Sequence, residues 1–216
     1  GIFWGLAGVC GQYLFEERGL TAKWLVSVRL VLAGLILLLT VWAKQKKQMF
    51  EIWREKRDVF QLIMFGIFGM AFCQLSYYVA VETSNAGTAT VLQYTIIIML
   101  YVSVRNKKVP QRIEMLALVL AVGGTFLLAT HGNITNLAIP TETLVWGLAS
   151  AVAMALYNLI PGELMKKFGT FNVIGWGMLI GGIFLCVFIK PWHVIGMWDI
   201  YTVLAMAAVI LVGTIL

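Results

Sequence analysis

Polar and aromatic side chains recur within otherwise apolar stretches of this sequence, where they are suited to solvating a small solute. Such groups are costly inside a membrane, and they therefore mark candidate solute pathways. Aromatic rings would contact the apolar part of an amphipathic solute, and amides would bind its polar ends. The candidates are Trp4, Gln12, Arg29, Gln74, Tyr77, Tyr78, Gln93, Tyr94 and Tyr157.

Each candidate also has a structural interpretation. Tyr and Trp side chains often anchor a helix at the membrane interface, which would account for Trp4. Gln, Ser and Thr side chains often join neighbouring helices by hydrogen bonds. Arg29 lies early in the second apolar run, where it either snorkels to the outer interface or forms a gate or a contact with a substrate carboxylate.

The residues that enzyme chemistry requires are not clustered in the sequence. His131 and His193 fall in predicted loops, and no acidic residue lies deep inside an apolar run. Three cysteines lie inside apolar runs without metal-ligand spacing, which predicts small buried residues: Cys10, Cys73 and Cys186. No phosphate-binding loop of the P-loop kind is present. We therefore expect no enzymatic activity, no metal and no cofactor.

The elements that would position these side chains are membrane-spanning helices. Of the 216 residues, 61% are apolar and 12% are charged, against about 25% charged in a typical soluble domain. The mean hydropathy is +0.89. Because about 20 apolar residues span a bilayer, the sequence predicts about eight spans. They cover residues 1–15, 24–43, 59–81, 86–104, 113–130, 144–160, 173–189 and 200 onward.

Basic residues predict the orientation. Lys and Arg cluster in the gaps after the second, fourth and sixth runs, whereas the other gaps contain only Arg18, Lys23 and Lys190. Because basic residues collect on the cytoplasmic side, the N-terminus is predicted to be cytoplasmic. The gap from Lys44 to Asp58 fits either an amphipathic helix on the membrane surface or a solvated loop. The net charge of +6 thus reflects loop residues and does not indicate nucleic-acid binding.

Two stretches that lie five helices apart resemble each other. Phe3–Gly8 in the first run corresponds to Val145–Ser150 in the sixth, and Leu32–Leu35 corresponds to Ile180–Ile183. Because five is odd, the second copy enters the membrane from the opposite side, which the loop charges also indicate. Such an inverted repeat is typical of secondary transporters. We expect a first unit over residues 1–130 and a second, truncated unit over residues 142–216.

Small residues form stripes at helical spacing in several runs. They are Gly5, Gly8 and Gly11; Gly147, Ala151 and Ala155; and Gly177 and Gly181. Such stripes let helices approach closely, and they serve either static packing or the sliding that alternating access requires.

Several motifs occur in the order expected of a known transporter family. They are the Trp-Gly pairs of the first and sixth runs, Arg29, the segment Ser84–Tyr94, His131-Gly132 and Ala155–Tyr157. With these motifs the sequence resembles the EamA-type branch of the drug/metabolite transporter superfamily. The resemblance implies ten helices in two repeats, both termini cytoplasmic, and export or exchange of small metabolites. The family usually has a proline shortly after Gln93-Tyr94, and here Thr95–Ile98 runs on unbroken.

We therefore predict an all-α, polytopic membrane helix bundle of inverted five-helix repeats, with about eight helices present of ten. Because the eighth run is still apolar at Leu216, the sequence is expected to be a fragment. The predicted function is export or exchange of amino acids or related amphipathic solutes across the cell membrane by alternating access. The alternative is a channel-like or structural membrane subunit without transport of its own. The expected partners are a small-molecule substrate and the lipid bilayer, with no nucleic acid.

Overall fold

The computed structural model describes residues 2–94, 116, 119–120, 123–124, 139–192 and 196–215, without the side chains of residues 2–5, 45 and 212–215. All regular structure in these residues is helical. The helices are α1 (Ile2–Glu16), α2 (Ala22–Gln45), α3 (Lys56–Glu82), α4 (residues 86–94), α5 (Thr141–Leu159), α6 (Gly162–Phe168), α7 (Thr170–Ile189) and α8 (Ile200–Ala207).

Four stretches of helix in the described part of the chain are long and apolar enough to cross a membrane. They cover Ala22–Lys44, Lys56–Glu82, Thr141–Phe168 and Thr170–Ile189, and a shorter apolar helix covers Ile200–Leu211. The prediction of an all-helical, polytopic membrane bundle is confirmed. The predicted span 113–130 and the second half of the span 86–104 lie outside the described residues, apart from isolated positions.

α2 and α7 cross as a close antiparallel pair in which glycines let the backbones touch. A Cβ on Gly34 would lie 2.8 Å from the amide nitrogen of Leu179, and a Cβ on Gly182 would lie 2.7 Å from that of Val31. Gly34 contacts Leu179 and the earlier residue Val31 contacts the later residue Gly182, so the two helices run in opposite directions. In lipid, helices associate mainly through close packing and interhelical hydrogen bonds, so these glycines stabilise the pair directly.

Glycines also bring α3 against α7. A Cβ on Gly181 would lie 2.5 Å from the carbonyl oxygen of Gly66, and a Cβ on Gly177 would lie 2.6 Å from the ring of Phe65. On α5, Gly147 leaves room in the same way for a leucine of α4. The predicted small-residue stripes therefore lie at close helix contacts.

Two helices contain π-helical turns, in which each hydrogen bond spans one residue more than in an α-helix. In α3, Phe65–Phe72 is π-helical between the α-helical segments Lys56–Met64 and Cys73–Glu82. α8 continues as a π-helix over Ala208–Ile215. The π-helical turns change the direction in which the following side chains point, and in α3 they precede the polar face described below.

α2 and α7 both end at a lysine with a positive φ angle. Their C-cap residues, Lys46 and Lys190, have positive φ angles of 47° and 51°. No other non-glycine residue in the described part of the chain has a positive φ. Lys190 is in the left-handed helical conformation that commonly ends helices, whereas the ψ angle of Lys46 lies outside that conformation, and neither residue continues an α-helix.

Two connections that were predicted as gaps are helical. Lys46–Trp53 forms a 3₁₀ helix with buried side chains at Met49 and Ile52. The solvated loop is therefore wrong for this segment, and the alternative, a short amphipathic helix on the membrane surface, stays a prediction. The gap after the sixth predicted run contains α6. Both segments are short and carry charges on their outer faces, so hydropathy alone does not reveal them.

Candidate functional site

Five buried side chains from three helices form a group that we call the central cluster: Arg29 of α2, Gln74, Tyr77 and Tyr78 of α3, and Gln93 of α4. Each is at most 7% exposed. Residues 74, 77 and 78 share one face of α3 because positions three and four apart are neighbours on a helix. All five were predicted as pathway residues.

The two tyrosines are held at right angles and reach both α1 and α4. Their ring centroids are 5.1 Å apart with an interplanar angle of 84°, the edge-to-face geometry that aromatic pairs prefer. The Tyr77 hydroxyl lies 3.1 Å from Thr90 Oγ1, and the Tyr78 hydroxyl donates to the Ala7 carbonyl at 3.4 Å. A Cβ on Gly11 would lie 2.6 Å from the Tyr78 ring, so α1 needs a glycine there.

Arg29 provides the positive charge of the central cluster. Its guanidinium stacks over the Tyr78 ring, with Cζ 5.1 Å from the centroid, and this arrangement draws a cation to the negative face of the ring. Arg29 is 2% exposed, so the alternative that it snorkels to the outer interface is wrong. A cation held here favours an anionic group on any solute that enters the cluster.

Gln93 is fully buried and links the central cluster to α5. Its Nε2 donates to Sγ of Cys73 at 3.7 Å, and that sulfur lies 3.8 Å from Sδ of Met154. Its Oε1 has no hydrogen-bond partner among the described residues. Leaving a buried acceptor unpaired costs about 1–3 kcal/mol, a loss that a donor on a bound solute would remove.

Two predicted residues are not in the central cluster. Tyr94 is 43% exposed although it follows Gln93 directly, because successive residues on a helix point about 100° apart. The side chain of Trp4 lies outside the part of α1 that the structure describes.

Two further predicted residues have structural contacts. Oε1 of Gln12 accepts from the Ala86 amide at 3.2 Å, so this side chain caps the start of α4. The ring of Tyr157 lies 5.6 Å from that of Phe65 in the π-helical part of α3. Both side chains therefore join helices at the edge of the central cluster.

Contacts that the sequence did not predict join the α1–α2 turn to the α7–α8 connection, and we call them the Arg18 clasp. Nη1 of Arg18 lies 3.0 Å from Oδ2 of Asp199. The indole of Trp24 donates to the Pro191 carbonyl at 2.8 Å and packs edge-on against Trp198, with 5.5 Å between centroids. The two connections are thereby closed over one end of the bundle.

Hydrogen bonds hold both charges of the Arg18 clasp in place. Asp199 caps α8, because its Oδ1 accepts from the Thr202 amide at 2.8 Å. Hydrogen bonds from the backbone amide and the side chain of Thr202, together with the charge of Arg18, lower the pKa of Asp199 from its ordinary value. The hydrogen bond to Tyr13 raises the pKa of Arg18. Both groups are therefore ionised at neutral pH.

Contacts of the same kinds join α6 and α7 to the 3₁₀ helix Lys46–Trp53 and the start of α3, and we call them the Lys167 clasp. Nζ of Lys167 lies 2.6 Å from Oδ2 of Asp58. The indole of Trp176 donates to the Met49 carbonyl at 3.3 Å and packs edge-on against Trp53, with 5.0 Å between centroids. The clasp partners lie far apart in the sequence, so no local pattern signals them.

The described residues contain no group of three His, Cys, Asp or Glu side chains placed to hold a metal ion. The cysteines are free thiols, and only Cys73 is fully buried, whereas Cys10 and Cys186 are half-buried. The prediction that all three are buried is thus wrong for two of them. Both histidines, His131 and His193, lie outside the described residues.

Comparisons with known proteins agree with the membrane architecture. Residues 1–130 match the model of a family described as the EamA-like transporter family. A Salmonella typhimurium protein named as the uncharacterized inner membrane transporter YicL is 39% identical over 190 residues, which cover 87% of this chain and 63% of that protein. The chain thus spans less than two thirds of that relative's length. No solved structure matches the chain.

Proposed function

The chain belongs to the EamA-like transporter family, and from that premise we propose that it exports or exchanges small metabolites across a membrane. The proposed substrates are amino acids or related amphipathic solutes, moved by alternating access. Facilitated exchange down a gradient is the proposed energetics, because no carboxylate lies deep inside the described helices to carry protons. The relative's name as an inner membrane transporter supports a multi-pass protein of the cell membrane.

The central cluster is the observation that carries this proposal. It combines a buried cation, two tyrosine rings and two amides within one region of a membrane bundle. These groups suit a zwitterionic solute with an apolar part, because Arg29 favours a carboxylate and Gln93 Oε1 accepts from an ammonium. The rings of Tyr77 and Tyr78 offer apolar surface to the remaining part of the solute.

Reciprocal contacts support two inverted repeats. In the sequence correspondence that pairs Gly34 with Gly182, Val31 corresponds to Leu179. The contact of Gly34 with Leu179 then has a counterpart in that of Gly182 with Val31, at nearly equal distances of 2.8 and 2.7 Å. A pseudo-two-fold axis in the membrane plane between α2 and α7 produces contacts of this kind.

Backbone features recur at similar separations and support the same repeats. The C-caps with positive φ, Lys46 and Lys190, end the second helix of each proposed unit. The π-helical segments, Phe65–Phe72 and Ala208–Ile215, lie in the third helix of each unit. We propose units over residues 1–130 and 142–216.

The distribution of basic residues supports an orientation with the N-terminus in the cytoplasm. The Lys167 clasp and the basic segment around Lys46 lie at one end of the bundle, and the Arg18 clasp lies at the other. Because Lys and Arg collect on the cytoplasmic side, we assign the Lys167 end to the cytoplasm.

Transport assays in proteoliposomes test the proposed function. The expected result is saturable exchange of a radiolabelled amino acid, accelerated when unlabelled amino acid is present on the opposite side. Protein-free vesicles provide the background. A channel-like subunit would instead give a leak that does not saturate or respond to counter-substrate. If no amino acid in the panel moves faster than in protein-free vesicles, the proposed substrate class is wrong.

A further inference from the structure

We propose that the Arg18 and Lys167 clasps are the two gates of this protein, one at each membrane face, and that opening either one exposes the central cluster to that face alone. This inference rests on the proposed transport function. It assigns gating to side chains outside the central cluster, and the central cluster remains the proposed solute site.

The two clasps are built from the same parts. In each, a basic residue beside a turn between consecutive helices pairs with an aspartate near the start of another helix: Arg18 with Asp199, and Lys167 with Asp58. The turns themselves contain Gly19 and Gly169, with positive φ angles of 68° and 83°.

Both clasps use tryptophans in the same two kinds of contact, although the correspondence of Gly34 with Gly182 pairs Trp24 with Asn172, whose Nδ2 also donates to the Met49 carbonyl, at 3.2 Å. Each indole donates to a backbone carbonyl of the opposite connection, Trp24 to Pro191 and Trp176 to Met49. Each is also packed edge-on against a tryptophan of that connection, at interplanar angles of 73° and 80°. The two sites therefore share three kinds of contact, an ion pair, an indole hydrogen bond and an edge-on ring contact, at opposite ends of the α2–α7 pair.

The clasps lie at opposite ends of the bundle. Trp24 lies in the first turn of α2, whereas the Lys167 clasp holds Met49, just beyond the end of α2. A helix of this length, 24 residues, spans about 36 Å, more than the thickness of the hydrocarbon core. One clasp therefore closes each face.

With both clasps closed, the central cluster is sealed. Its members are at most 7% exposed, and Cys73, which contacts Gln93, is also buried. The Arg18 clasp has one ion pair, the Trp24 hydrogen bond, one ring contact and a backbone hydrogen bond from Met197 to Arg18. The Lys167 clasp has ion pairs to Asp58 and Glu55, hydrogen bonds from Trp176 and Asn172 to the Met49 carbonyl, and ring contacts of Trp176 with Trp53 and Phe50. The helices between the clasps are instead joined along their lengths by glycine contacts. A clasp can therefore open while the α2–α7 pair stays packed, which is what gating by rigid elements requires.

Sided labelling of Cys73 tests the proposal. In a protein with Cys10→Ala and Cys186→Ala, Cys73 is the sole thiol among the 216 residues, and a membrane-impermeant maleimide is applied to one face of vesicles at a time. We expect Trp24→Leu to raise labelling from the Arg18 face by about fivefold or more, with no change from the other face. Trp176→Leu is expected to raise labelling of Cys73 from the Lys167 face, with no change from the Arg18 face.

Matched controls separate gating from general loosening. Trp192→Leu and Trp42→Leu remove exposed tryptophans outside the clasps, near the Arg18 and Lys167 ends respectively, and neither is expected to change labelling. Trp24→Phe keeps a ring against Trp198 but removes the hydrogen bond to Pro191, and an intermediate rate from the Arg18 face is expected.

The outcomes distinguish this proposal from the proposed function. If a clasp variant raises labelling equally from both faces, or if neither clasp variant raises it, the gates are not the clasps. The labelling needs no solute. If the labelling follows the faces as expected while the protein moves no amino acid in vesicles, the clasps are the gates and the proposed substrate class is wrong.

Discussion

The guanidinium of Arg29 lies over the ring of Tyr78, 5.1 Å from its centroid, with both side chains buried inside the helix bundle. The ring faces a charge on one side and is edged by Tyr77 and Phe15. This contact ties α2 to α3 at the level of the central cluster, and it sets the position of the cluster's positive charge.

Replacing Tyr78 with leucine is expected to destabilise the protein by about 2 kcal/mol or more, since a desolvated cation–π contact is lost from a buried site. Chemical denaturation in detergent, followed by tryptophan fluorescence, measures the change. Tyr201→Leu is the control, because Tyr201 is exposed on α8. Equal midpoints for the two variants would mean that the Arg29–Tyr78 contact adds no stability.

Gly34→Ala and Gly182→Ala are each expected to destabilise the bundle by about 1–3 kcal/mol, because the new methyl group meets backbone atoms that cannot turn aside. The two effects should be similar, since the contacts are reciprocal. Gly162→Ala serves as the control, because nothing lies within 4 Å of a Cβ there. Thermal unfolding in detergent provides the comparison, and a wild-type midpoint for both variants would contradict the close crossing of α2 and α7.

Gln93→Ala is expected to slow amino acid exchange about tenfold, which corresponds to the loss of about 1.4 kcal/mol from one contact with the solute. Tyr94→Ala is expected to leave exchange near the wild-type rate, because Tyr94 is outside the central cluster. Initial rates in proteoliposomes with equal amounts of folded protein measure both. If Tyr94→Ala is the more damaging change, the pathway runs along the other face of α4.

The Arg18 clasp is expected to weaken in acid. The folded-state pKa of Asp199 is lowered, so the stabilisation that its charge provides is fully present above the ordinary carboxyl pKa of about 3.9 and is lost as pH falls through the lowered value. The charged partner of Asp199 is Arg18, whose pKa is raised by its hydrogen bond to Tyr13, so Arg18 stays charged throughout this range.

Asp199→Asn isolates this effect, because asparagine retains the helix cap and removes the charge. The melting temperature of the variant should lie below that of the wild type at pH 7, and the difference should shrink as pH falls below 4. A difference that persists unchanged in strong acid would show that the charge of Asp199 is not its source.

The helices were predictable because hydropathy and length determine them directly. The run from Trp24 to Ala43 lies within α2, and the run from Val173 to Ile189 lies within α7. The segment Lys46–Trp53 was not predictable, because Met49 and Ile52 are buried against other helices while the residues between them are exposed. A short segment of that kind resembles a loop in composition.

The members of the central cluster were predictable because polar and aromatic residues within apolar runs mark candidate solute pathways. The sequence identified Gln93 and Tyr94 together, and only helix geometry separates the buried amide from the exposed ring. The clasps were not predictable, because a salt bridge such as Arg18–Asp199 joins two connections that no local pattern relates.

The π-helical turns of α3 give that helix a tolerance to changes in chain length. Because a π turn holds one residue more than an α turn, deletion of one residue within Phe65–Phe72 lets the segment close into an α-helix. Tyr77 and Tyr78 then keep their direction toward α1 and α4. Deletion of one residue between Cys73 and Tyr77 has no such compensation and rotates both tyrosines by about 100°. We therefore expect the loss of one residue to be tolerated in the π-helical turns and not in the α-helical segment that carries the tyrosines.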